Sequence, residues 1–262
     1  MAIILYEHVL SPYAQKVKIA LREKELPFEV AMPGGIGAGT TGGEFAEANP
    51  RAEVPVLIDD EVRVFDSTII LQYVEDNWPS PALLPHGAAE RARVRMIEEV
   101  MDTHFEAINW ALGEIGWFQR AKGEDAERLR ARAAEQTRGF YAWLERQLGE
   151  REWFNGSAFG WGDLCVVPFV AGAIANGNPP ERDSPLSAWF ERTAARPSVA
   201  QTLAESRAFD RASSNVAEAV ASGLFKREYR DHRLEWMMKS GGVDIVLKGL
   251  EAGNIRFTAD FS

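Results

Sequence analysis

The sequence predicts two fold classes joined end to end: an α/β unit over residues 1–80, then an all-α region over 87–211 carrying a helical tail over 212–262. Three observations predict it. Short apolar runs of strand length alternate with helical stripes as far as Trp78. A proline cluster, Pro79-Ser80-Pro81 and then Pro85, interrupts the chain and reads as a linker over 79–86. Beyond it the apolar residues recur almost wholly at helical spacing.

The elements follow in order. Ile3–Tyr6 is an apolar run that reads as a strand. After Ser11-Pro12, Val17, Ala20 and Leu21 form one helical stripe, and proline is at home in the first turn of a helix. Phe28–Ala31 reads as a second strand, and Glu44–Asn49 has room for a short helix before Pro50. Val54–Ile58 and Arg63–Phe65 flank the polar turn Asp59-Asp60-Glu61, which suits a hairpin. Ser67–Trp78 carries Ile70, Leu71 and Val74 at helical spacing. The order is therefore βαβ, a short helix, ββ, α. Ala88–Phe118 and Glu124–Leu148 are expected as long helices, with shorter ones at Asp163–Ala175, Leu186–Ala195 and Val199–Ser206. In the tail, Val216–Ser240 reads as a single helix stopped by Gly241-Gly242, with Val243–Leu250 after it. Lys226, Arg230, Arg233 and Met237 share one of its faces, beside Tyr229.

Composition narrows the function. Hydrophobic residues make up 46% and charged residues 26%, ordinary globular usage. The net charge of −10 disfavours a nucleic-acid partner. No apolar run approaches the roughly 20 residues of a membrane span, and Glu7 follows the first strand at once, so neither a membrane segment nor a secretory signal is expected. The one cysteine, Cys165, has no disulfide partner in the chain and points to a reducing cytoplasm. His8, His86, His104 and His232 lack ligand spacing, so no metal is expected. The literal G-x-G-x-x-G at Gly37–Gly42 is not followed by a substantial helix, which excludes a dinucleotide site.

Residues 1–80 carry 6 basic and 13 acidic side chains, so an anion bound there must be held by local dipoles. Ser11 stands at a helix N-cap, where unsatisfied amides stabilise negative charge and lower the pKa of a thiol. Pro55, opening an apolar run, suggests an edge position or a cis bond that turns the Val54 backbone toward an added peptide strand. Asp66 and Ser67 stand where another helix begins. A carboxylate fits the Ser67 hydroxyl and amides, and an ammonium fits Asp66.

Ser11 at the first helix, NPRAEVPVL entering the third strand and DSTIILQYVED opening the third helix together resemble the cytosolic glutathione transferases. The resemblance covers residues 3–210 and is nearest the serine-type zeta and tau classes and the bacterial omega-like and β-etherase branches. It implies a thioredoxin-like N-terminal domain followed by an all-helical one, acting as a homodimeric detoxification enzyme. It also implies that Ser11 assists the glutathione thiolate, that the Val54 backbone and cis Pro55 hold the cysteinyl part, and that Asp66 and Ser67 grip the γ-glutamyl end. Relatives often carry Lys and Gln where Ala52 and Glu53 stand here, so the glycine carboxylate is expected to rely on Arg51, Lys16 or a tail residue. At the helix-capping box of the second domain Gly160 replaces the usual Ser or Thr, with Asp163 in place. An apolar pocket for a hydrophobic electrophile is expected from Leu10, Tyr13, His104, Phe105, Trp110, Ile115, Trp117 and Phe118, closed by Tyr229. A glutathione-dependent lyase cleaving aryl ethers, and a transferase-fold interaction protein without chemistry, remain alternatives at this point.

Overall fold

Period-two alternation sets the first layer. In β1 (Ile3–Tyr6), Ile3 and Leu5 enter the main core while Ile4 and Tyr6 face the other way, as a pleated strand requires. The computed structural model describes residues 3–35, 41–209, 215–225, 234, 237–238 and 241–252. It pairs β1 parallel with β2 (Phe28–Ala31) and antiparallel with β3 (Val56–Asp59), which pairs antiparallel with β4 (Val62–Phe65). The sheet order is β2-β1-β3-β4. Helices α1 (Pro12–Glu23) and α3 (Ser67–Asn77) bury Val17, Ala20, Leu21, Ile70, Leu71 and Val74 in the main core with Leu5 and Leu57. The short α2 (Gly43–Ala48) covers the opposite face, where Phe45 and Ala48 meet Val56 and Ile58.

The linker is pinned by its own polar groups. Lys24 Nζ donates to the carbonyls of Trp78 (2.6 Å) and Pro81 (2.7 Å) and pairs with Glu75 (2.8 Å). Glu75 in turn accepts the amides of Leu83 and Leu84. The helical region comprises α4 (Ala88–Val100), a π-helical turn at Met101–Phe105, α5 (Glu106–Gly116), α6 (Gly123–Leu148), α7 (Trp161–Ala175), α8 (Pro185–Ala194) and α9 (Pro197–Ala208). Helix α7 is buried from Trp161 through Val170, and it packs against α1, α4, α5 and α8. An apolar helix buried all round belongs at the centre of such a bundle.

Two expectations change. The long helix expected over Ala88–Phe118 is interrupted by the π turn, and α5 stops at Gly116, leaving Trp117 and Phe118 beyond its end. The single tail helix is also overturned. Helix α10 spans only Val216–Ala221, then Gly223 takes a left-handed φ of 78° and the Phe225 amide folds back onto the Ala219 carbonyl (2.9 Å). A left-handed glycine ends a helix readily, and here the turn delivers Phe225 to stack on Phe118, with centroids 5.8 Å apart. The final described helix is α11 (Val243–Glu251). Gly37 and Gly39 of the glycine-rich loop lie outside the described residues, as do Tyr229, Lys226, Arg230 and Arg233 of the tail.

Gly160 caps α7 as expected, and the structure explains its identity. A Cβ there would sit 2.3 Å from the Leu83 carbonyl and 2.2 Å from Asn155 Nδ2, so no Ser or Thr fits. Asp163 takes over the capping, accepting the amides of Gly160 (3.1 Å), Phe154 (2.8 Å) and Asn155 (3.3 Å), and the Trp189 indole N–H (2.8 Å).

Candidate active site

Register alone gathers the three sequence motifs. Tyr6 pairs with Val56 and Val56 with Phe65, so the end of β1, the start of β3 and the end of β4 lie at one end of the sheet's strands. The chain segments leaving or entering there are the Ser11 turn, Val54-Pro55 and Asp66-Ser67.

Ser11 is the N-cap of α1, with Pro12 in the first turn. Its Oγ accepts the Ala14 amide (3.3 Å), its amide donates to the His8 carbonyl (2.7 Å), and its carbonyl accepts the Gln15 amide (3.0 Å). A hydroxyl oxygen that accepts in this way keeps its own hydrogen for donation. The Val54–Pro55 bond is cis, and the β3–β4 ladder begins only at Val56. Asp66 caps α3: its carboxylate accepts the amides of Thr68 (3.1 Å) and Ile69 (3.4 Å). Its φ of 74° lies in the left-handed region, a conformation that costs a non-glycine residue energy and recurs at binding sites. Ser67 behind it is buried.

Arg51 lies between two carboxylates, 3.6 Å from Glu53 and 3.4 Å from Asp66, with its guanidinium 5.1 Å from the Phe65 ring centroid. The loop that carries Arg51 and Glu53 is knitted by buried Asn49, which accepts the Arg51 amide (3.0 Å) and donates to the Glu53 carbonyl (2.8 Å). An open cleft of about 570 Å³, lined by Arg51, Arg63, Val64, Phe65, Asp66, Thr68 and Ile69, runs beside this pair without including Ser11.

Lys16 is not available to a ligand, contrary to the sequence expectation. It is fully buried, 2.6 Å from Glu98 and 2.5 Å from Asp102, and donates to Thr68 Oγ1 (3.4 Å). Helical spacing five residues after Ser11 turns it inward, against α4. Burial alone would depress its pKa, but the Asp102 and Glu98 carboxylates raise it above the usual lysine range. Burial pushes Asp102 up to about 6; Lys16 opposes the shift and Glu98 adds to it. Glu98 also accepts from Thr68 Oγ1 (2.8 Å) and from the Trp161 indole (2.5 Å). One ammonium thus ties the helix that begins at Ser11 to the helix that begins at Ser67, and both to α4 and α7. The sequence reading missed this cluster, although Glu98 and Asp102, four apart on one helix, were its visible half.

On the proposed electrophile side, Tyr13 packs its ring edge-on against Phe169 (5.9 Å), and its hydroxyl donates to the Asp102 carbonyl in the π turn (2.6 Å). Leu10 is half-buried in the turn before Ser11, and Trp110 is half-buried on α5. His104 is half-buried in the π turn, its Nδ1 2.8 Å from Thr103 Oγ1. Phe105 is corrected: it is fully buried against Phe140 (5.3 Å) and Tyr141 (6.0 Å), a core residue and not a pocket wall. Ile115 is likewise buried in the main core. Trp117 lies beside Phe118 (6.5 Å), which is itself covered by Phe225.

The models of the glutathione S-transferase N-terminal and C-terminal domains match residues 5–82 and 127–192. Glutathione S-transferase U28 of Arabidopsis thaliana is 31% identical over 211 residues, covering 78% of this chain and 89% of that protein. The chain belongs to the glutathione S-transferase family. Among solved structures, this transferase is similar to a glutathione S-transferase from Rhodospirillum rubrum (27% identity, TM-score 0.67, covering 77% of this chain and 91% of the other). It is also similar to rice GST1, solved in complex with glutathione (28% identity, TM-score 0.65, covering 85% and 96%). The thioredoxin-like four-stranded sheet followed by a helical region is the transferase fold. Among the described residues no group of three or more His, Cys, Asp or Glu side chains is arranged to hold a metal ion. No described helix is long and apolar enough to cross a membrane.

Proposed function

We propose that this transferase binds reduced glutathione at the end of the sheet marked by Val54, Asp66 and Ser67, and uses Ser11 to hold its sulfur as a thiolate that attacks a hydrophobic electrophile. The convergence of the Ser11 turn, cis Pro55 and the Asp66 cap at one end of the sheet's strands carries this reading. The γ-glutamyl ammonium meets Asp66, its carboxylate meets the Ser67 region at the N-terminus of α3, and the cysteinyl backbone pairs with Val54 as an added strand. Arg51 supplies the exposed positive charge for a remaining carboxylate, and its pairing with Glu53 sets where that charge stands. The electrophile meets Leu10 and Tyr13 from one side and His104, Trp110 and Trp117 from the other.

The chemistry follows from the cap. A thiol of ordinary pKa near 8.5 loses its proton to solvent, and the sulfur lone pair forms the bond to carbon as the leaving group departs. A charge-assisted hydrogen bond contributes about 1.5–3 kcal/mol and a helix N-terminus about 0.3–1 kcal/mol, enough together to lower that pKa by about 1.3–3 units.

Residues 1–80 serve as the glutathione-binding domain, 87–211 as the domain lining the electrophile pocket and 212–262 as a C-terminal extension. A cytoplasmic detoxification role suits the single buried thiol of Cys165. A homodimer would cover the exposed Val62 of β4, Ile69 of α3 and Met96 of α4, and sedimentation velocity measures it. Calorimetry with millimolar glutathione should show binding. Ser11→Ala should lower kcat by about ten- to a thousandfold across a panel of haloaromatics, epoxides and aryl ethers. Unaltered turnover in that variant removes Ser11 from the mechanism, and absent heat of binding removes glutathione.

A further inference from the structure

The turn that presents Ser11 is built by the residue that opens it. His8 closes the turn through its carbonyl, which accepts the Ser11 amide (2.7 Å). Its side chain also acts on the same turn, because Nδ1 accepts the Leu10 amide (3.3 Å). The Val9 carbonyl accepts from Gln15 Nε2 (2.9 Å). Within the turn, then, the amides on both sides of the Leu10–Ser11 link end on His8.

An imidazole that accepts at Nδ1 carries its proton on Nε2, and the protonated ring has no lone pair to offer. The surroundings favour the neutral form: burial lowers the His8 pKa. The adjacent Glu7 pairs through one carboxylate oxygen with Lys18, which also holds Glu205. On its far side the ring meets Phe209 edge-on (centroids 5.4 Å, 61°), just past the end of α9. A turn needing only one local acceptor is ordinarily served by Asn, Asp or Ser. Histidine adds a rigid ring long enough to be clamped by the helical region.

We propose that His8 is a positioning residue for Ser11: its imidazole, clamped by Phe209, accepts the Leu10 amide and so fixes where the Ser11 hydroxyl stands. The proposal rests on the role given to Ser11 above. Small misplacements of a reacting group cost up to about a hundredfold in rate, so His8 acts on turnover while the distant Asp66 grip stays intact.

The test compares His8→Leu, His8→Asn and Ser11→Ala, each first shown to be folded by circular dichroism. Leucine keeps bulk against Phe209 and removes the acceptor, whereas asparagine restores an acceptor to the amide two residues on. His8→Leu should lower kcat about ten- to a hundredfold with the glutathione KM changed less than about threefold. It should also raise the pKa of bound glutathione, read from thiolate absorbance in the ultraviolet. His8→Asn restores the acceptor without the ring clamped by Phe209 and should recover part of both losses. Wild-type turnover in His8→Leu, or equal impairment of the leucine and asparagine variants, overturns the His8 proposal while an impaired Ser11→Ala leaves the Ser11 reading standing. An unimpaired Ser11→Ala overturns both.

Discussion

Replacing Lys16 by methionine tests whether the buried charge cluster holds the site together. The side chain is 0% exposed, and its ammonium is 2.6 Å from Glu98 and 2.5 Å from Asp102. At an effective dielectric near 20, each contact is worth about 6 kcal/mol before desolvation, and burial of three charges takes back most of it. What the variant exposes is the cost of two carboxylates left without a counter-charge, about 3–5 kcal/mol. That corresponds to a melting temperature lower by about 6–20 °C for a domain of this size class. Acid should relieve the loss. With Lys16 gone, the Asp102 carboxyl rises further above its unfolded value. The native state then binds more protons than the unfolded state, and the variant gains stability as pH falls from 7.5 to 5.5. Urea unfolding followed by circular dichroism at the two pH values measures both effects. A deficit under about 1 kcal/mol at pH 7.5, or one that grows on acidification, refutes the reasoning. Because the cluster also ties α1 to α3 through Thr68, glutathione affinity should fall in step with stability.

Asp102→Asn addresses the same cluster from its acid side. The Asp102 pKa is raised from 3.8 to about 6, so in the wild type its contribution is fully present below pH 3.8 and is lost as pH rises through about 6. Over that window it should cost up to about 3 kcal/mol, and the asparagine variant should lack this fall; parallel urea midpoints across pH 4.5–7 would contradict it. Asp163→Ala leaves the amides of Phe154, Asn155 and Gly160 and the Trp189 indole without an acceptor, all in a buried pocket. A loss of at least about 4 kcal/mol and little recoverable folded protein are expected, and a melting temperature within a few degrees of wild type would count against it. Phe225→Ala should leave Phe118 exposed at little cost to the sheet unit, changing electrophile KM more than glutathione KM; steady-state kinetics in both substrates separates the two.

Much of the sheet unit was legible because its signals are local. Ser-Pro before an apolar stripe is a helix start whatever the rest of the chain does, and α1 begins at Pro12 as read. The acidic turn Asp59-Asp60-Glu61 separates β3 and β4 as read, with Asp60 at a φ of 51°. The helices after the linker were located to within a few residues for the same reason. The interruptions were not. A π turn adds one residue to a helical turn without altering composition, and the break after α10 serves the stacking of Phe225 on Phe118, a contact between residues far apart in the chain.

Side-chain roles divide along the same line. The sequence by itself determined most of the residues that stand at helix caps and strand entries, because capping depends on a few adjacent backbone groups; Ser11 and Pro55 belong to that set, whereas the cap expected at Ser67 falls one residue earlier, on Asp66. Only the tertiary structure decided that Lys16 is a buried counter-ion and not a ligand contact, that Phe105 belongs to the core, that Gly160 is forced by the Leu83 carbonyl and that His8 reaches both the Ser11 turn and Phe209. Each depends on which helix face meets which neighbour, a matter of packing between segments distant in sequence.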